Sequence, residues 1–188
     1  MAEYTYYEAK ETYNRIMRAF KEALLTSHNI LLVGGAGYGK STLVSKVLFD
    51  FNNNKTHGFN ILCSCINMRT TPVTKDGALF FKTINNILLQ ILNHYQTNPP
   101  PERVEHLESR DTFYTLSSMV CKIDVKVLNE KKLWSVIIID DIDYLETKFH
   151  PRLLEIMASL MASASVAILW ACRPPALTEL EYELSSRS

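Results

Sequence analysis

Apolar positions along the chain alternate between helical and strand spacing. Residues 8 to 25 set Tyr13, Met17, Phe20 and Leu24 at helical intervals, and His28-Asn29 breaks the pattern. Asn29 to Val33 is an apolar run of strand length. Leu43, Val44, Val47, Leu48 and Phe51 then mark one face of a helix that begins near Lys40. After the breakers Asn52-Asn53-Asn54 and Gly58, Phe59 to Ile66 predicts a second strand, and Phe80, Ile84, Ile87, Leu88, Ile91 and Tyr95 predict a long helix. The connector QTNPPPE, residues 96–102, is one no helix crosses and is too short to divide domains. Phe113, Leu116, Val120, Ile123 and Val127 mark a further helix.

Leu133 to Ile139 is continuously apolar and β-branched over Val136 to Ile139, the composition of a strand covered on both faces. Pro151 opens a helix carrying Leu153, Leu154, Met157, Leu160 and Met161, and Ser165 to Ala171 is a fourth strand. Strands alternating with helices predict an α/β domain with a mostly parallel sheet flanked by helices.

Composition narrows the picture. At 188 residues, 47% apolar and 21% charged, the chain has the makings of one domain with a substantial core. Lys plus Arg and Asp plus Glu each count 20, so bulk charge does not draw it to nucleic acid. No apolar run approaches a membrane span and the first residues lack a secretory plan, so the expectation is a soluble intracellular protein without a membrane partner. Cys63, Cys65, Cys121 and Cys172 include no CxxC pair and no histidine at zinc spacing, so they are expected to be reduced packing residues.

The chemistry lies in residues 30–44, ILLVGGAGYGKSTLV. A tight turn needs one or two glycines; four in six positions imply backbone in close approach to a ligand. Gly34-Gly35-Ala36-Gly37-Tyr38-Gly39-Lys40-Ser41 fits GxxxxGK[ST], the phosphate-loop or Walker A pattern, with a strand before it and a helix after it. Its backbone N–H groups would encircle a β-phosphate at the helix N-terminus, Lys40 would reach the β and γ oxygens, and the Ser41 hydroxyl would hold Mg²⁺. VIIIDDID supplies the acidic partner: Asp140 as the Walker B residue acting on Mg²⁺, Asp141 as the residue that orients water. Aspartate is one methylene shorter than glutamate and would hold its water farther from the γ-phosphate, which points to slow hydrolysis. Asp143 reads as a helix cap or a surface acid.

GGAGYGKST, IIIDDID and the tail WACRPPALTELEYELSSRS together resemble the AAA+ ATPases, in particular the initiator branch of origin recognition complex and Cdc6-type subunits. Asn67, Asp76, Ala78 and Leu79 after the second strand, the DDID form, and the spacing of Cys172-Arg173 to Ser186-Arg187 look most like the fourth subunit of that complex. The resemblance implies that residues 1–188 are an AAA+ nucleotide-binding core, a fragment without the family's C-terminal lid or a winged-helix domain. It implies ATP and Mg²⁺ as cofactors, with Gly34 to Thr42 as nucleotide ligands and Ser41 and Asp140 at the metal.

It further implies Asp140 and Asp141 as the acidic pair, Arg173 near the sensor 1 position, and Arg187 as an arginine finger entering a neighbour's site. Arg173 stands where many relatives have Asn, and a second role, binding an acid in the core or in a neighbouring subunit, stays open. The implied partners are other AAA+ subunits of a hetero-oligomer and duplex DNA reached through the assembled complex. The implied function is replication initiation, in the nucleus of a eukaryote or otherwise in the cytoplasm. Hydrolysis would be slow or partner-dependent. Two other readings stand beside it: a non-catalytic assembly module that donates Arg187, and another AAA+ ATPase such as a clamp-loader subunit or a transposition regulator.

Overall fold

The computed structural model describes residues 29–53 apart from Ala36 and Tyr38, together with 60–71, 77–95, 104–123, 133–144, 150–161, 163 and 166–173. Before residue 29 it describes 11, 13–19 and 22. In chain order the elements are β1 (Ile30–Val33), α1 (Lys40–Asn53), β2 (Asn60–Asn67), α2 (Ala78–His94), α3 (Arg110–Cys121), β3 (Leu133–Asp140), a 3₁₀ turn (Ile142–Tyr144), α4 (His150–Met161) and β4 (Val166–Cys172). Residues 13–19 are helical, within the helix expected over 8–25.

The four strands form one parallel sheet in the order β1-β4-β3-β2. Period-two alternation divides its side chains between two cores. Ile137, Ile139, Ile168 and Trp170 join residues of α2, α3 and α4 on one face. Val136, Ile138, Leu169 and Ala171 join Val44 and Val47 of α1 and Met17 of the N-terminal helical segment on the other. Two apolar faces are what the unbroken run at Leu133 to Ile139 demands: Val136 to Ile139 are all almost completely buried.

Observed boundaries depart from the sequence reading by small, explicable amounts. The helix expected to reach Val127 ends at Cys121, because Lys122 N–H turns back to Met119 O and Ile123 N–H to Val120 O, short-range bonds that tighten and close the last turn. Residues 124–130 lie outside the described residues. β2 extends to Asn67 because that residue still pairs with Asp140. α1 ends at Asn53, whose side-chain amide donates to Phe49 O at 2.9 Å. The expectation that all four cysteines are packing residues fails for Cys121, which is exposed on α3 with its thiol against Ser159 O, whereas Cys63 and Cys172 are buried.

The strand order is what positions the site. β4 lies between the strand entering the phosphate loop and the strand ending in the acidic pair. Val33 is level with Cys172, and Asn67 with Asp140. Gly34 N–H continues the ladder onto Cys172 O at 3.3 Å. The loop, Arg173, the two aspartates and Asn67 therefore emerge along one edge of the sheet, the carboxyl ends of the strands, where open α/β sheets bind ligands.

Candidate nucleotide site

Backbone geometry shapes the phosphate loop. Gly37 and Gly39 have φ of 79° and 75°, in the left-handed region, and a Cβ added at either would meet no protein atom within 4 Å. Glycine is required there by the backbone path and not by crowding. Lys40 Nζ donates to Gly34 O and, at 3.0 Å, to Gly35 O, so the ammonium lies across the loop. Gly39 O accepts the Leu43 N–H at 2.8 Å as the first turn of α1 closes. That turn carries no acidic residue, which leaves the positive end of the helix dipole uncompensated and favourable to an anion.

Alternation along β3 turns Asp140 to the α1 face, the face of Val136 and Ile138. There its carboxylate lies near the Ser41 hydroxyl and Lys40, both of which favour its ionised form. Burial, reinforced by the charge of Asp141, raises the Asp140 pKa above its ordinary value. The Asp141 N–H at 2.9 Å, the Ser41 hydroxyl and Lys40 oppose that rise. A buried carboxylate beside a second carboxylate and a hydroxyl is a hard-oxygen set short of positive charge. It fits Mg²⁺, with Ser41 and Asp140 as the residues that would hold it. Bound there, the ion would neutralise charge on the phosphates.

Asp141 has φ of 56°, and Asn67 Nδ2 donates to its Oδ2 at 2.9 Å. Asn67 also organises the turn that follows β2. Its Oδ1 accepts the Arg69 N–H at 2.9 Å, and its carbonyl accepts the Thr70 and Thr71 N–H groups at 3.1 and 2.9 Å. Next along the edge, Asp143 is the partner of Arg173: Oδ1 accepts the Arg173 N–H at 2.8 Å, and Oδ2 is 3.4 Å from Nε. The Asp143 side chain is 14% exposed, so it is neither a surface acid nor a helix cap. The pair spans thirty residues of sequence, and no local spacing signals it.

The structure thus brings together Gly34, Gly35, Gly37, Gly39, Lys40, Ser41, Asp140 and Asp141. Thr42 follows in the exposed first turn of α1. Arg173 stands on the same edge, held by Asp143. Ala36, Tyr38, Asp76, Ser186 and Arg187 lie outside the described residues. Among the described residues no cluster of His, Cys, Asp and Glu forms a separate metal site, and no helix is long and apolar enough to cross a membrane.

Comparison with known proteins agrees with this geometry. Among solved structures, Cdc6p from Pyrobaculum aerophilum is 17% identical, with 95% of this chain and 42% of that chain covered, at a TM-score of 0.53. The Aeropyrum pernix ORC1 protein, solved in complex with DNA, is 18% identical, with 90% and 41% covered, at 0.51. This chain spans about two fifths of either, and the likeness is one of fold. A search of curated protein sequences finds no match. The NACHT domain family model matches residues 28–188. The match runs from two residues before β1 through the phosphate loop and the acidic pair: this chain belongs to the NACHT domain family, with a P-loop NTPase fold that it shares with Cdc6 and ORC1 proteins.

Proposed function

We propose that the chain is a nucleotide-dependent assembly module that binds ATP·Mg²⁺ at the loop of residues 34–42 and turns it over slowly. The carrying observation is the convergence of Ser41, Lys40 and the buried Asp140 carboxylate, which brings phosphate loop and acidic strand together at one point. In this reading the amides of the loop and Lys40 bind the phosphates, and Ser41 and Asp140 hold the ion. Asp141, oriented by Asn67, accepts a proton from the attacking water. Arg173, committed to Asp143, braces the end of β4 and keeps its remaining guanidinium donors available along the edge.

Arg187, by resemblance to the initiator ATPases, would reach the nucleotide of an adjoining P-loop subunit, so turnover would report assembly. A second reading, in which the assembled subunits close around duplex DNA as part of an origin recognition complex, draws support from the fold shared with the Aeropyrum pernix ORC1 protein.

The test is titration of a fluorescent ATP analogue with and without magnesium. Wild type should bind more tightly with the ion, whereas Ser41→Ala and Asp140→Asn should lose most of the magnesium dependence. Equal magnesium dependence in all three would remove the proposed site. For the trans role, Arg187→Ala chains mixed with wild-type chains carrying Lys40 should show reduced turnover with unchanged nucleotide affinity. Full turnover would exclude an arginine finger at that position.

A further inference from the structure

The helical segment 13–19 precedes residue 28, where the NACHT match begins, and it packs against α1, the helix that opens with Lys40 and Ser41. Tyr13 donates its hydroxyl proton to Asp50 Oδ2, and Lys46 Nζ stands 4.0 Å from the centroid of the Tyr13 ring. Met17 is buried in the core that contains Val44 and Val47 of α1, and Tyr13 and Ile16 pack against that core. We propose that residues 13–19 are a strap that regulates the nucleotide site: seated on α1 they hold the phosphate loop in its binding geometry, and bound ATP·Mg²⁺ in turn holds the strap down.

The contacts run along α1 toward the loop. Lys46 and Asp50 are one helical turn apart and grip the same tyrosine, a cation against its ring and an anion on its hydroxyl. Nearer the loop, Ile16 faces Leu43 and Val44 of α1, Leu32 of β1 and Leu169 of β4 across an apolar gap too narrow to admit water. Leu43 is the residue whose N–H closes the first turn of α1 onto Gly39 O at 2.8 Å. A displacement of Ile16 is therefore felt one turn from Lys40, with no layer of solvent to absorb it.

α1 gains from this support. Of its described side chains only Val44 and Val47 are almost completely buried, whereas Leu43 and Leu48 are partly buried. A helix seated by so few side chains can rock on the sheet, and a loop that must be ordered on binding holds its ligand less tightly than one already in place. Seating the strap removes part of that ordering cost. The linkage is reciprocal: whatever factor the seated strap adds to nucleotide affinity, nucleotide adds to the seating of the strap. A partner that pulled residues 13–19 away would loosen the site without touching it.

The proposal rests on the reading of residues 34–42 as a nucleotide site, and the two fail differently. Hydrogen exchange of residues 13–19 is followed in the whole chain with and without ATP·Mg²⁺, at a concentration that saturates wild type and leaves Lys40→Ala largely empty. A fluorescent ATP analogue is titrated with magnesium into wild type, Tyr13→Phe, Asp50→Ala, Asp50→Asn and the double variant Tyr13→Phe/Asp50→Ala, and each is melted without ligand. Nucleotide should slow exchange in residues 13–19 of wild type by about fivefold or more and leave that of Lys40→Ala unchanged. Tyr13→Phe and Asp50→Ala should each weaken binding by about five- to tenfold, and the double variant by no more than either alone. Asp50→Asn, whose amide oxygen still accepts the hydroxyl, should recover part of the loss. Exchange that ignores nucleotide, or a Tyr13→Phe chain that binds as tightly as wild type, overturns the proposal even where melting temperatures fall, since such a fall alone marks plain packing. Losses that add in the double variant overturn it as well. A wild type that binds no nucleotide removes site and strap together.

Discussion

Asn67 Nδ2 donates to Asp141 Oδ2 at 2.9 Å, so the last residue of β2 holds the first residue beyond β3. The bond fixes the carboxylate proposed to receive the proton of the attacking water and leaves the phosphate loop untouched. Asn67→Ala should therefore lower single-turnover hydrolysis by about tenfold or more, since small displacements of a positioned group cost rate steeply. Nucleotide affinity should stay within about twofold. A parallel loss of affinity would show that Asn67 supports the loop itself.

Lys40→Ala removes the only charged side chain bonded to the loop carbonyls among the described residues. Charge-assisted hydrogen bonds contribute about 1.5–3 kcal/mol each, so affinity for ATP should fall by about 10²-fold. Far-UV circular dichroism should be unchanged, because the side chain packs in neither core. Undiminished affinity would end the phosphate-loop assignment.

The left-handed backbone of Asp141 adds a conformational reason for aspartate there to that of side-chain length. Aspartate and asparagine tolerate this region and glutamate tolerates it less, at a cost of up to about 1 kcal/mol. Asp141→Glu should hydrolyse ATP faster in the assembled protein, because its carboxylate reaches farther, and should melt at lower temperature. Asp141→Asn should keep both melting temperature and ATP affinity while losing hydrolysis. A Glu variant as stable as the parent and no faster would refute both halves of this account.

Asp140 connects function to stability. Its pKa is raised chiefly by burial, so the native state holds the proton more tightly than the unfolded chain does. Folding is thus helped below the ordinary carboxyl range, and that help disappears as pH rises through the folded pKa, leaving a charge that costs stability at neutral pH. Asp140→Asn should melt above wild type at pH 7, with the difference shrinking toward pH 4, while magnesium-dependent nucleotide binding is lost. Melting curves at a series of pH values decide it; a difference that grows on acidification would reverse the sign of the argument.

Much of this was legible in the sequence because it is local. The strand, glycine loop and helix of residues 30–53 are consecutive, and the run from Leu133 to Asp140 advertises a doubly covered strand by composition alone. What escaped depends on contacts between distant residues. The insertion of β4 between β1 and β3 leaves no local trace, and it is this that levels Cys172 with the loop. Asp143 looked like an incidental acid because its partner, Arg173, lies a helix and a strand away. Cys121 was placed with the packing cysteines by residue type, which carries no information on which side of α3 it falls. The motifs of the phosphate loop and the acidic strand are those of P-loop NTPases at large, so they carry the fold further than the identity of any one subunit.

The pairing of Ile30 with Leu169 has a consequence for how the protein is made. β1 leaves a ribosome before the other described strands, yet its sheet partner among the described residues is β4, the last of them in the chain. Parallel pairings between such distant segments form late, after the intervening chain has been ordered. Until β4 is synthesised, the glycine loop follows a strand with no sheet partner among the described residues, and nucleotide has no finished cradle to enter. A growing chain would acquire its ligand only once β4 has emerged, and ATP would act on the folding of this domain as a late clasp and not as an early template.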